Sequence, residues 1–90
     1  MGDRWTYPPE FVEALAGFGL APHPGTPPAV VRRAVDELYK VELKRLRLRY
    51  LRGELAKAHL AEQVIQLRKK YWLLTLPEGA WEKICGIGDR

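Results

Sequence analysis

An uninterrupted stretch of 24 residues, 29–52, constrains the fold more than any other part of the chain. It contains no Gly, Pro, Ser or Asn, so nothing in it breaks a helix or favours a turn. Thr26 and two prolines precede it, and Gly53 follows it. A Thr hydroxyl can cap the first free amides of a helix, and Gly adopts the left-handed conformation just past a helix end. The stretch predicts one helix over about 28–52, about 36 Å long at 1.5 Å per residue.

The long helix is apolar on two sides. At 100° per residue its larger apolar set, the main strip, drifts slowly around the axis and consists of Val31, Val35, Leu38, Tyr39, Leu43, Leu46 and Tyr50. A smaller set, the second strip, consists of Val30, Ala34, Val41 and Leu48. A helix with two apolar sides needs two neighbours, so this pattern predicts more than one packing partner.

A third helix is predicted over about 56–74, and it also carries two apolar strips. Its main strip has the 4-3-4-3 spacing of a coiled-coil seam and consists of Leu60, Val64, Leu67, Tyr71 and Leu74. Its second strip consists of Ala58, Ala61, Ile65 and Trp72. The short turn at Gly53 predicts that the two long helices form an antiparallel hairpin. Each helix then has one face for the other and one face left over.

Two short helices are expected to flank the hairpin. Pro residues followed by an acid start one over about 8–18 and another over about 77–85. A stiff connector, 21–28, has four prolines among its eight residues. The chain shows no strand pattern. The predicted fold is therefore all-α, a small helical bundle in one domain, 1–90, completed by dimerisation.

Composition limits the class of protein. Ninety residues allow one domain with a modest core, a size at which a partner subunit, a metal or disulfides often add stability. One cysteine excludes an internal disulfide framework. The absence of Ser and Asn, with only two Gln, is typical of a thermophile or a very GC-rich genome. No signal-peptide pattern and no run of about 18 apolar residues is present, which predicts a cytoplasmic protein without a membrane partner.

The residues that catalysis needs are scarce. Without Ser or Asn the chain has neither a serine nucleophile nor a Cys-His-Asn arrangement. His59 and Glu62 form one reversed metal-type pair, which only a dimer would double. Cys85 aligns with apolar neighbours and is expected to be a buried, inert thiol. We expect no enzyme activity, no catalytic residue, no metal site, no cofactor and no small-molecule substrate.

Positive charge is concentrated in the middle of the chain. The net charge of +4 divides into −2 for residues 1–28, +5 for 29–53, +2 for 54–76 and −1 for 77–90. A basic helix face can neutralise phosphates of a nucleic acid, and the residues predicted for such contacts are Arg33, Lys40, Lys44, Arg47, Arg49 and Arg52. The alternatives are a solvated basic face, or one that contacts an acidic protein partner or the acidic ends of a second subunit.

The function predicted from these features is a small helical protein-interaction module, either a homodimer or an accessory subunit. Its self-association interface is predicted to consist of Leu43, Leu46, Tyr50, Leu60, Val64, Leu67 and Tyr71. The alternative function is nucleic-acid binding through the basic face of the long central helix.

Overall fold

The computed structural model describes residues 4–86, and within them the chain is all-helical and contains no strand. Its elements are α1 (Pro9–Ala16), α2 (Pro28–Leu51), α3 (Lys57–Lys70) and α4 (Glu78–Ile84), with a short 3-10 helix (Trp72–Thr75) between α3 and α4. The predicted all-α class is confirmed. The predicted domain of residues 1–90 extends beyond the described residues at both ends.

Helix α2 has nearly the predicted bounds, but its two ends differ in how far the prediction holds. Pro27 occupies the position before the helix, and no side chain caps the first turn, so the capping role expected of Thr26 is wrong. The backbone carbonyl of Thr26 instead accepts a hydrogen bond from the Tyr7 hydroxyl at 2.6 Å. At the other end Gly53 has φ of 79°, and the amide of Glu54 donates to the carbonyl of Arg49 at 2.8 Å. The predicted glycine stop is confirmed.

Helix α3 ends at Lys70, four residues before the predicted end. Tyr71 has φ of −99° and ψ of 41°, and the 3-10 helix follows it. Tyr71 and Leu73 are both buried. In a continued α-helix, residues two apart would point about 200° apart around the axis. The tighter turn lets both side chains reach the core, which the regular apolar spacing of the sequence did not indicate.

The short helices are also shorter than predicted. Helix α1 ends at Ala16 rather than near residue 18, and the amide of Leu20 donates to the carbonyl of Leu15 at 2.9 Å across Gly19, whose φ is 80°. Helix α4 begins one residue later and ends one residue earlier than predicted. In both cases the predicted range included the flanking turn residues that cap the helix.

The core is confined to one end of the molecule. It draws on every helix and consists of Phe11, Leu15, Val31, Val35, Leu67, Tyr71, Leu73, Trp81 and Cys85. The Phe11 ring meets the edge of Trp81 with 5.1 Å between ring centroids, and the Trp81 Nε1 donates to the carbonyl of Leu73 at 2.9 Å. These contacts join α1 and α4 to the segment that follows α3.

Beyond the core extends a segment that we call the arm, residues 41–66. It comprises the second half of α2, the turn at Gly53 and most of α3, and none of its residues is buried. The molecule measures 54 × 19 × 16 Å, so it is about three times longer than it is wide. The arm is therefore the part of the chain whose side chains remain available to a partner.

Candidate functional site

Six cationic side chains and three carboxylates make the arm basic. The cations are Lys44, Arg45, Arg47, Arg49, Arg52 and Lys57, and the carboxylates are Glu42, Glu54 and Glu62. All six cations are exposed. The basic stretch that the sequence shows is thus displayed on a projecting segment, away from the core.

Two residues of the predicted self-association interface are not available to a second copy. Leu67 is 6% exposed and Tyr71 is 2% exposed, because both belong to the core of their own chain. Neither side chain can contact a second copy unless this core opens, and the predicted interface stays a prediction. Four others are half-buried, Leu43, Leu46, Leu60 and Val64, whereas Tyr50 is exposed. Leu43 and Leu46 already pack against the core cluster of their own chain.

The second strips are more exposed than the main strips. Val41 and Leu48 on α2 have exposed fractions of 46% and 41%, and Ile65 on α3 has 52%. Trp72, which the sequence places on the second strip of the third helix, is 40% exposed, although its ring also contacts the ring of Phe11. Leu51, next to the turn, is 76% exposed. The free apolar surface therefore lies mainly on the strips that the predicted interface left out.

The residues predicted to contact nucleic acid are all exposed, namely Arg33, Lys40, Lys44, Arg47, Arg49 and Arg52. Two of them have acidic neighbours: Lys40 lies 3.1 Å from Asp36, and Arg49 lies 3.7 Å from Glu54. The other four form no ion pair with any residue between 4 and 86.

Four of these cations share the outer face of α2, which we define by Arg33, Lys40, Lys44 and Arg47. At 100° per residue they fall within about 60° around the helix axis. They extend over about 21 Å at 1.5 Å per residue. Because α2 is one continuous helix, its exposed cations form a line of positive charge that an extended polyanion can follow.

A groove between α2 and α3 combines charged, polar and apolar groups. Its volume is about 340 Å³. From α2 it is lined by Glu42, Arg45, Leu46 and Arg49, and from the α3 side by Gln63, Gln66, Leu67 and Lys70. Three cations, two amides and two leucines therefore surround one carboxylate.

Glu42, at one end of the groove, is held by two donors. The Tyr71 hydroxyl donates to its Oε2, and the Lys70 Nζ lies 3.2 Å from the same oxygen. Partial burial acts to raise the pKa of Glu42, but these hydrogen bonds and the charges of Lys70 and Arg45 lower the pKa below its ordinary value. Glu42 is therefore an ionised carboxylate whose charge is largely balanced within the chain.

Tyr71 links this polar cluster to the core. Its ring stacks on Phe18 with 4.4 Å between centroids and meets the edge of Tyr39 at 5.4 Å. Burial, followed by the hydrogen bond to Glu42 and the charge of that carboxylate, raises the pKa of the Tyr71 hydroxyl above its ordinary value. The hydroxyl therefore stays protonated and continues to donate at any physiological pH.

The remaining candidates for chemistry stand apart from the arm groove. His59 is exposed, and within residues 4–86 no three His, Cys, Asp or Glu side chains are grouped so that they can hold a metal ion. Cys85 is buried, as predicted, and burial raises the pKa of its thiol to about 11. A thiol in this state is a poor nucleophile at neutral pH.

The sequence pattern did not indicate that four groove residues share one site, namely Arg45, Gln63, Gln66 and Lys70. One signal was present, because Gln63 and Gln66 are the only two side-chain amides in the chain and are three residues apart on the third helix. Arg45 and Arg49 are four residues apart on the second helix, so they also share a helix face. The pairing of the two helices was needed to bring these sets together.

The chain carries no membrane-spanning helix in its described part and has no recognisable similarity to known proteins. Among the described residues, no helix is both long and apolar enough to cross a membrane. Comparison of the chain with models of protein families, with curated protein sequences and with solved structures finds no match.

Proposed function

We propose that the protein is a small helical interaction module that associates through its arm, as a homodimer or as an accessory subunit of another protein. In this proposal α2 and α3 form an antiparallel hairpin, and the faces left exposed on the arm contact the partner. One observation carries the proposal. Of the nine large apolar side chains that are exposed between residues 4 and 86, five lie on the arm: Val41, Leu48, Tyr50, Leu51 and Ile65.

The size of this apolar surface favours a reversible complex. Completing the burial of a half-exposed aliphatic side chain contributes roughly 1 kcal/mol. Several such side chains from each copy give a total comparable to the association cost, which is about 4–15 kcal/mol. We therefore expect a dimer that dissociates on dilution.

The charge on the arm gives the dimer a distinctive salt dependence. Symmetric contact between two basic arms brings like charges together, which opposes association. Salt screens this repulsion with a Debye length of about 10 Å at 0.1 M. The dimer fraction is therefore expected to increase with ionic strength, whereas contacts with a polyanion weaken.

Light scattering coupled to size-exclusion chromatography, over a range of protein concentrations, tests the proposal. Leu48→Glu and Ile65→Glu each place a charge on a different second strip, and at least one of them should shift the mass towards that of a monomer. Val12→Glu is the matched control, because Val12 is similarly exposed on α1, outside the arm. A wild-type monomer at all concentrations contradicts self-association, and a dimeric mass in both arm variants contradicts association through the arm.

Nucleic-acid binding through the outer face of α2 is a second candidate function. It is supported by the exposure of all six predicted contact residues and by the lack of an ion pair at Arg33, Lys44 and Arg47 within residues 4–86. Each phosphate that such a cation neutralises releases counterions, so binding should weaken steeply as salt rises.

Fluorescence anisotropy with a labelled DNA duplex at several salt concentrations tests this second function. The double variant Lys44→Glu/Arg47→Glu should reduce affinity by more than about tenfold and flatten the salt dependence by about two phosphate contacts. Lys57→Glu/Lys69→Glu makes the same charge change on exposed residues outside the predicted set and should have a smaller effect. If both double variants lose the same amount of DNA affinity while their far-UV circular dichroism is unchanged, the loss reflects only a non-specific charge effect.

A further inference from the structure

We infer that the groove between α2 and α3 recognises an acidic, partly apolar peptide segment of a partner protein. The inference rests on the proposed interaction module and names the chemistry of the partner segment. It concerns a different surface from the outer face of α2, because Arg45 and Lys44 are adjacent in sequence and so lie about 100° apart around the helix.

Charge is the first observation that supports an acidic partner. Arg45 forms no ion pair with any residue in the described part of the chain. The contact between Arg49 and Glu54 is 3.7 Å long, and both side chains are about half exposed, so a partner carboxylate can replace it at little cost. Glu42 is already bound by Lys70 and Tyr71. The groove therefore has one guanidinium group without an ion pair among the described residues, that of Arg45, and one whose exposed ion pair a partner carboxylate can replace, that of Arg49.

Spacing is the second observation. Arg45 and Arg49 are one helical turn apart, about 6 Å along α2. A guanidinium binds a carboxylate through two parallel hydrogen bonds, which makes arginine well suited to this contact. Two carboxylates of one short segment can thus be bound in succession. Because Glu42 places a negative charge at the far end, the acids of the segment are expected at the Arg49 end.

The rest of the lining fits a peptide. Gln63 and Gln66 can both donate and accept hydrogen bonds, as backbone amides and carbonyls require. Leu46, which is half-buried, provides an apolar contact for one side chain of the segment. No aromatic side chain of residues 4–86, on which the bases of a single-stranded nucleic acid could stack, lines the groove. The lining therefore favours an acidic peptide over a nucleic acid strand.

The two glutamines also provide the test. Because the chain contains no Asn and only these two Gln, its side-chain amide signals in heteronuclear NMR come from Gln63 and Gln66 alone. The full-length, isotope-labelled chain is titrated with a synthetic hexapeptide of alternating Glu and Leu. The same peptide with Lys in place of Glu, and single-stranded poly(U), serve as comparison ligands. We expect both pairs of amide signals to shift with the acidic peptide only.

Adjacent charge reversals identify the surface. Arg45→Glu should weaken binding of the acidic peptide by at least about tenfold, since it replaces a bidentate contact by repulsion. Lys44→Glu makes the same kind of change on the outer face and should alter the affinity by less than about threefold, because exposed charges at a distance are screened. Both residues are exposed, so neither variant should unfold the chain.

Four outcomes would overturn the inference: unshifted amide signals, equal losses in the two variants, a stronger response to poly(U), or displacement of a self-associated dimer by the peptide. The last would show that a second copy occupies the groove. Failure here is distinguishable from failure of the proposed function. If the chain dimerises but the acidic peptide leaves the amide signals unchanged, only peptide recognition by the groove is overturned. If the chain is a monomer that binds the peptide, only self-association is overturned.

Discussion

At the residue scale, the meeting of Glu42, Lys70 and Tyr71 is the clearest example of a contact between positions far apart in the sequence. The Tyr71 ring is buried and its hydroxyl donates to the Glu42 carboxylate, while Lys70 approaches the same oxygen at 3.2 Å. One aromatic residue therefore contributes both apolar burial and a hydrogen bond to a charged group. The second contact ties the core to the first turn of the arm.

Tyr71→Phe is expected to lower the free energy of unfolding by about 1–3 kcal/mol, because it removes a hydrogen bond to an ionised acceptor while retaining the ring. Urea denaturation followed by circular dichroism measures this change. Tyr39→Phe is the control, since the Tyr39 hydroxyl donates to no residue that the structure describes. A similar decrease in the free energy of unfolding in both variants would show that the hydrogen bond from the Tyr71 hydroxyl to Glu42 does not contribute measurably to stability.

Alkaline pH should also destabilise the fold through Cys85. Burial raises the pKa of this thiol from 9.0 to about 11, so folding favours the neutral form. The stability that results is complete below pH 9 and is progressively lost as the pH rises towards about 11, since the unfolded chain releases the proton more readily. Melting temperatures measured across this range should fall, and Cys85→Ala should reduce the slope. If the melting temperature of Cys85→Ala falls with pH as steeply as that of the wild type, groups other than Cys85 cause the loss of stability.

At the element scale, α2 was predictable because its signals are local. No residue within the helix interrupts it, prolines precede it, and Gly53 with a positive φ follows it. Each of these signals depends only on residues within a few positions of the helix. The end of α3 was not predictable in the same way. Its apolar spacing continues past Lys70, but burial of both Tyr71 and Leu73 requires a tighter turn, which depends on the core that these residues meet.

Gly53→Ala should lower the free energy of unfolding by about 1 kcal/mol, because the backbone there has φ of 79° and a Cβ is disfavoured in that conformation. No atom of another residue lies within 4 Å of the added Cβ, so the loss of stability comes from the backbone conformation at residue 53 and not from a clash with neighbouring residues. Gly79→Ala is the control, since that site in α4 is equally open and has no positive φ. It should be neutral or stabilising by up to about 1 kcal/mol. Thermal unfolding of both variants gives the comparison, and a stabilised Gly53→Ala variant would contradict the argument.

At the scale of the whole molecule, burial is unevenly distributed along the two long helices. Their core-facing ends contribute Val31, Val35 and Leu67, whereas the arm contributes no buried residue. Local opening costs least where few apolar contacts are lost. We therefore expect the arm, which carries most residues of the candidate surfaces, to open more readily than the core-facing ends of α2 and α3.

Amide hydrogen exchange should reveal this gradient. Amides near the turn at Gly53 are expected to exchange at least about tenfold faster than those around Val35, because opening the arm need not disrupt the core. Native-state exchange measured by NMR at low protein concentration tests this, and high concentration should slow exchange in the arm if the chain self-associates. Uniform protection along α2 would contradict a separately opening arm.

The candidate surfaces were only partly predictable. The exposed cations could be identified from charge runs, because charged side chains remain in water wherever the helix lies. The groove could not, since Arg45 and Gln63 share it only through the pairing of two helices. The burial of Leu67 and Tyr71 in the core of their own chain was not predictable for a related reason: periodicity shows that a strip is apolar but not which neighbour covers it.

The sequence by itself determined the all-α class, the position of α2 and the basic character of its second half, because propensity, helix punctuation and charge act over a few residues. Only the tertiary structure decided which end of each strip is buried, where α3 ends and which polar side chains share a groove. Those features depend on contacts between residues as distant as Glu42 and Tyr71. Such contacts form between helices, and a pattern read along a single helix does not contain them.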